Sequence, residues 1–195
     1  MHLVVDNLYR GYIAIADEIK PDAAKAISNL KKLGVEKTVM LTGDNNAIAS
    51  RISQQLGLDS YAAELLPENK VSALEKIMSQ APKGSKVAFV GDGINDAPVL
   101  ARADVGLAMG GLGSDAAIET ADVVIMTDAP SKVALAIQIA RKTHSIVWQN
   151  IIVAMGIKGL FIALGAFGLA TMWEAVFADV GVALLAIFNA TRVLK

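Results

Sequence analysis

Asp92 and Asp96 flank the turn Gly93-Ile94-Asn95 within the stretch GDGINDAP, residues 91–98. Two carboxylates brought this close repel each other unless a cation sits between them. Mg2+ is the hard, oxygen-seeking ion that such a pair favours, commonly beside a phosphate. A second stretch, Thr42-Gly43-Asp44-Asn45, sets a hydroxyl and several backbone N–H groups at the mouth of a helix, where they can donate to a phosphoryl oxygen. Lys70, in the string PENK at 67–70, can bring positive charge to the same group. Together these are the parts of a phosphoryl-transfer site without its nucleophile. The plainer alternative is that an aspartate in a Gly-rich turn only caps a helix or satisfies the turn. That alternative stays open for Asp44, and it fits GDGINDAP as a unit much less well.

The elements around these residues alternate. Val35 to Leu41 reads as a strand entering TGDN, and Asn45 to Leu56 as the following helix, with Ile48, Ile52 and Leu56 on one face. Pro67 opens the helix PENKVSALEKIM at a position where proline is tolerated. Lys86 to Val90 is a short strand ending in GDGINDAP, and Pro98 fits the first turn of a helix reaching about Ala101. Val105–Met109 and Val123–Met126 supply two more strands, with the Gly-rich AMGGLGSD loop between them. Strands alternating with amphipathic helices predict an α/β fold, a doubly wound, Rossmann-like parallel sheet. Ligands of such sheets gather beyond the carboxyl ends of the strands, where both acidic loops fall.

The 195 residues suffice for roughly one ordinary domain. With 18 basic and 19 acidic side chains, no excess of positive charge recommends a nucleic-acid partner. The absence of cysteine excludes disulfides, a thiol nucleophile and Cys-ligated metal within these residues. The Met1 end lacks the basic leader and apolar core of a secretory signal.

After Ser145 apolar residues nearly fill the sequence. Residues 146–165 carry a single charge, Lys158, and 173–192 contain Glu174 and Asp179; each segment is long enough to cross a bilayer as a helix in contact with lipid. Arg141 and Lys142 precede the first span and Arg192 and Lys195 end the second, while the connection has no basic residue. By the positive-inside rule both outer ends, and the α/β part, face the cytoplasm; the expected location is the plasma (inner) membrane, as an integral protein. Trp148, beside His144, and Trp173 suit interfacial anchors, and Met155 and Met172 read as packing residues.

A charge at mid-span costs about 2.5–3.5 kcal/mol on insertion scales, so Lys158 and Asp179 call for a partner. In a hairpin whose turn centres near Leu169, Lys158 lies 11 residues before the centre and Asp179 10 after it, so the two reach the same depth. A neutralised pair that only locks two helices together is one reading; a working site is the other.

In order and spacing, MLTGD at 40–44, PENK at 67–70, GDGINDAP at 91–98 and AMGGLGSDAAIETAD at 108–122 resemble the P-type ATPases of the haloacid dehalogenase superfamily. The resemblance implies that Thr42 (with Gly43 in its motif) and Lys70 hold an aspartyl-phosphate and Asp92 helps bind Mg2+. It also implies that Asn95 and Asp96 complete the site and Asp44 sits near incoming ATP. The family's phosphorylated aspartate lies upstream in an Asp-Lys-Thr-Gly-Thr string that does not occur here, and neither Asp6 nor Asp17 substitutes for it. Asp17, Lys20 and Pro21 look like the family's hinge. Residues 1–16 then end a nucleotide-binding domain, 17–142 form the carboxy-terminal part of the phosphorylation domain, and 146–165 and 173–192 are the last two membrane helices.

Asn150, Lys158 and Asp179-Val180-Gly181 resemble the last two helices of zinc, cadmium and lead exporters. In that subgroup the Asp is taken to bind the transported metal and the Lys to serve as its counter-ion. A copper exporter would be expected to present Met, Tyr or Asn donors instead. The implied activity is ATP-driven export of Zn2+, Cd2+ or Pb2+ by a pump whose upstream domains are the partners of this part, which alone is inactive. The rival readings are a phosphatase of the same superfamily with a membrane anchor, and a membrane fragment without catalysis.

Overall fold

The structure is a computed structural model that describes residues 2–6, 8–12, 18–91, 94–110 and 115–194. Contacts divide the chain into two compact units, 1–133 and 134–195.

The first unit opens with an antiparallel pair, β1 (His2–Val5) and β2 (Leu8–Tyr12), which the hydrophobic pattern did not mark. There follow α1 (Ala23–Lys32), β3 (Val39–Leu41), α2 (Asn46–Leu56), β4 (Ser60–Ala62) and α3 (Pro67–Gln80). β5 (Ala88–Gly91) leads through a short 3-10 turn, Ile94–Asp96, into α4 (Ala97–Arg102). β6 (Val105–Met109), α5 (Asp115–Thr120) and β7 (Val123–Ile125) complete the alternation. Every pairing from β3 onward is parallel, as strand–helix alternation demands. Among the described residues the strands from β3 onward form two ladders, β3–β4 and β5–β6–β7.

One device recurs where the later strands begin. Asp59, Asp104 and Asp122 each stand immediately before a strand, and each accepts a hydrogen bond from a backbone N–H at the start of the neighbouring strand. The donors are Thr38 N at 2.7 Å, Val87 N at 2.9 Å and Gly106 N at 2.8 Å. Lys31 and Lys86 secure the free oxygens of Asp59 and Asp104 at 2.7 and 2.8 Å.

The core lies where β6 and β7 meet the helices: Leu107, Met109, Ile125 and Val133 form one cluster, with Leu30 of α1 packed against it. Leu100 and Ala108 form another, with Phe89 and Ala121 beside it. Gly106 is needed here, because a Cβ at that position would lie 2.7 Å from the carbonyl oxygen of Leu100 on α4.

Two expectations are corrected. The strand expected from Val35 spans only Val39–Leu41, because Val35 N bonds back to Leu30 O and residues 33–38 serve as the exit from α1. The buried face of α2 is Ala49 and Ser53, whereas Ile48 is exposed. Small residues let a helix lie close against its neighbours, which moves the bulkier side chains to the flanks.

The second unit is a helical hairpin. α6 (Ser131–Ala166) runs unbroken, so the shift from polar to apolar sequence falls inside one helix and not at a linker. At 1.5 Å per residue it is about 54 Å long, more than the roughly 30 Å of a bilayer core. Gly168, at φ +72°, closes its end, with Leu169 N donating to Leu164 O at 2.8 Å. α7 (Met172–Ala190) starts with a capping box in which Thr171 Oγ1 accepts from Glu174 N and the Glu174 carboxylate accepts from Thr171 N at 2.7 Å. Glu174 therefore caps α7 rather than standing as a bare charge within the span. Both helices are long and apolar enough to cross a membrane. Their large side chains stay exposed on the hairpin, Ile162 at 74% and Phe177 at 77%. Met155 and Met172 are exposed as well, so neither packs within the hairpin.

Candidate phosphoryl-transfer site and hairpin ion pair

Thr42 directly follows β3, and its N–H donates to Ala62 O at 3.0 Å, extending the β3–β4 ladder by one step. Its hydroxyl donates to Asp44 Oδ2 at 2.8 Å and accepts from Asp44 N at 3.1 Å, so the two side chains close the TGDN loop on itself. The loop after β4 is stitched to it: Leu65 N donates to Thr42 O at 3.1 Å and Glu64 N to Asp44 O at 2.9 Å. A Cβ on Gly43 would lie 3.4 Å from Leu65 O, a contact that fits this stitching. Capping of α2 falls to Asn45, whose side chain accepts from Ile48 N at 2.9 Å. Of the two plain roles left open for Asp44, helix capping falls to its neighbour, while the bond from Thr42 gives Asp44 the role of satisfying the turn.

Lys70 lies in the first turn of α3, which Pro67 begins, and Asp96 immediately precedes α4. Lys70 Nζ donates to Asp96 Oδ1 at 2.8 Å, with the two side chains 19% and 12% exposed. Asp96 occupies the N-cap position of α4 yet makes no cap bond, because its carboxylate turns to the lysine. Gly91, at the end of β5, permits the approach: a Cβ there would fall 2.9 Å from Asp96 Cβ. The pair thus joins the helix that leaves one ladder to the turn that leaves the other. Asn95 is exposed, and Asp92 lies outside the described residues, as does Asp17.

Thr42 is brought to Asp44 and Lys70 to Asp96; no hydrogen bond or ion pair joins the two pairs among the described residues. Nor, among the described residues, do three or more His, Cys, Asp or Glu side chains converge there. A carboxylate with an ammonium beside it still has the right donor chemistry for a phosphoryl group and Mg2+, both hard partners. Sequence reasoning missed Glu64, which holds φ at +56° and whose Oε1 accepts from Asn46 N at 3.4 Å. Its string YAAELLP has no Gly or Asn to signal a left-handed residue.

In the second unit Lys158 Nζ lies 2.8 Å from Asp179 Oδ1. Lys158 stands about 12 Å before the end of α6 and Asp179 about 10 Å after the start of α7, the equal depth that a hairpin imposes. Nearer the other end, Asn150 Nδ2 donates to Ala186 O at 3.2 Å and Asn189 Nδ2 to Asn150 Oδ1 at 2.9 Å, while Arg192 donates to Asn189 Oδ1 at 2.8 Å. Trp148 Nε1 donates to His144 Nε2 at 3.1 Å on the exposed surface of α6. A Cβ on Gly181 would meet nothing within 4 Å, leaving a bare strip of α7.

Among known proteins, the pattern of the haloacid dehalogenase-like hydrolases matches residues 2–104. All 195 residues align at 70% identity with a zinc-transporting ATPase of Synechocystis sp., and at 58% with a cadmium, zinc and cobalt-transporting ATPase of Bacillus subtilis. The chain spans 27% and 28% of the lengths of these two proteins. A crystal structure of a zinc-transporting PIB-type ATPase in its E2.Pi state superposes with a TM-score of 0.84 at 44% identity, over 97% of this chain and 30% of that one.

Proposed function

Because this chain belongs to the haloacid dehalogenase-like hydrolase family, we propose that it is the carboxy-terminal part of an ATP-driven exporter of Zn2+ and Cd2+ that works through an aspartyl-phosphate. The observation that carries the reading is the joint presence of two charged pairs, Lys70–Asp96 at a phosphoryl-type loop and Lys158–Asp179 within an apolar hairpin. A membrane-anchored phosphatase has use for the first pair and none for the second. Alignment over the full chain with pumps for zinc and for cadmium, zinc and cobalt supports the same choice. Those names add cobalt to the candidate cargo, and lead rests on the sequence resemblance alone.

Under this reading the phosphorylated aspartate is carried upstream, on a parallel strand. Among the described residues β3 pairs only with β4 and β5 only with β6, which leaves each with an edge where such a strand can add. Thr42 and the backbone N–H groups of its loop would hold the phosphoryl oxygens, and Lys70, kept in place by Asp96, would neutralise charge that develops on them. Asp44, fixed by Thr42, would face the incoming ATP. Mg2+, bound by Asp92 and Asp96, would draw charge from the phosphoryl group.

In the membrane the cargo must displace Lys158 from Asp179. The returning ammonium then competes with the ion for the same carboxylate, which favours release once the site changes shape. The first unit would stand in the cytoplasm and the hairpin in the plasma (inner) membrane.

The test is metal-dependent ATP hydrolysis by the full polypeptide. Asp92→Ala and Asp179→Ala should each abolish it, and normal turnover in either variant would remove that residue from the account. Metal-independent phosphatase activity that survives Asp179→Ala would favour the anchored phosphatase.

A further inference from the structure

Asp22 sits at the N-cap position of α1 but makes no cap bond to that helix. Its Oδ2 instead accepts from the backbone N–H of Ser131 at 2.9 Å, the first residue of α6 and 109 positions further along the chain. The Ser131 N–H and then its hydroxyl hold the Asp22 carboxyl below the usual carboxylate range. Two residues before Asp22, Lys20 forms an ion pair with Asp128, just ahead of α6. Val133, in the first turn of α6, is 7% exposed in the cluster of Leu107, Met109 and Ile125, with Leu30 of α1 packed against it. The start of α6 is therefore held by a carboxylate cap, an ion pair and an apolar contact. Two of those holds come from residues that lead into α1, and the third includes α1 itself.

α1 in turn leads through residues 33–38 into β3, whose end carries Thr42. α6 is one continuous helix from Ser131 through Lys158. We infer that Lys20 and Asp22 are positioning residues that couple the phosphoryl site to the membrane helix, so that events at Thr42 are transmitted to α6 through α1. The inference rests on the proposed pumping function. Neither residue touches the reacting groups; each acts by fixing where α6 begins. The segment from α1 to β3 is the physical connection between the two, touching the start of α6 at one end and carrying Thr42 at the other.

The experiment uses the full polypeptide reconstituted in vesicles. Acid-stable phosphoenzyme is measured together with Zn2+ moved per phosphate released, for wild type, Asp22→Ala and Lys20→Met. Loss of an N-cap acceptor weakens a helix start about fivefold. The phosphoenzyme level should stay near that of wild type while Zn2+ moved per phosphate falls by a similar factor. Exchange of the charges, Lys20→Asp with Asp128→Lys, should restore the ratio, and Asp22→Asn, which keeps an acceptor, should retain most of it. If Asp22→Ala fails to fold, Lys20→Met and the exchange pair still decide the matter. Phosphoenzyme and transport that fall together at a constant ratio would mark both residues as merely structural and overturn this inference alone. A wild-type polypeptide with no metal-dependent phosphoenzyme would overturn the pumping function and the inference with it.

Discussion

Replacing Gly106 with alanine should damage fold and site together. The new Cβ would stand 2.7 Å from Leu100 O and 3.2 Å from Leu100 C, both backbone atoms of α4, so no side-chain rotation can relieve the contact. α4 must retreat by about 0.7 Å to restore ordinary van der Waals separation. Overpacking of this kind costs about 1–3 kcal/mol, and at about 2–4 °C per kcal/mol the unfolding midpoint should fall by several degrees. α4 also carries Asp96 at its start. A shift of this size would stretch the 2.8 Å bond to Lys70 past hydrogen-bonding range. Misplacement on this scale should lower phosphoryl transfer on the order of tenfold to a hundredfold. Stability is best followed by circular dichroism and by hydrogen exchange at the β5 and β6 amides, because both tryptophans, Trp148 and Trp173, belong to the hairpin. Gly106→Ala with an unchanged midpoint and unchanged activity would refute the claim that α4 rests on β6 through this glycine.

Acid should loosen the first unit. Asp59 is held well below the usual carboxylate range by Lys31 and then by Thr38, and Asp104 is lowered by Lys86 and then by the Val87 N–H. A depressed carboxyl contributes stability that is fully present above its ordinary range and is lost as pH falls through its folded-state value, so the loss should fall below about pH 4. Midpoints measured from about pH 5 down to pH 2 should drop, and Asp59→Asn should flatten the slope; a slope unchanged by that substitution contradicts a stabilising role for the Asp59 bonds to Lys31 and Thr38. In the hairpin, Lys158→Met removes the competitor for Asp179. Equilibrium binding of Zn2+ to the full polypeptide should tighten by about tenfold while turnover falls, and weaker binding would show that the ammonium is not a competitor.

The acidic loops were legible in the sequence because their chemistry is local: Gly91 and Asp96 are five residues apart, and their close approach needs only the turn between them. The meeting of Lys158 and Asp179 was legible for a geometric reason, since two residues equally far from a hairpin turn must reach the same depth. β4 left no pattern, having only Ser60, Tyr61 and Ala62 to show; it exists because a parallel neighbour receives its hydrogen bonds. The tie of Asp22 to Ser131 was illegible for a related reason, as nothing near Asp22 in sequence marks a helix start 109 residues away. The buried face of α2 misled the reading because hydrophobic size was taken as the sign of burial, while close packing selected Ala49 and Ser53. Glu174 had a local signal, Thr171 three residues before it, but its charge count inside an apolar run drew the eye instead.

The most direct test is to incubate the full polypeptide with γ-labelled ATP and Mg2+, add Zn2+ or Cd2+, and quench in acid. The account predicts labelled protein that depends on the added metal, is cleaved by hydroxylamine as an acyl phosphate, and disappears in Asp179→Ala. Label that forms equally without metal, or that persists in Asp179→Ala, would contradict the claim that the loop chemistry of the first unit serves the charged pair of the second.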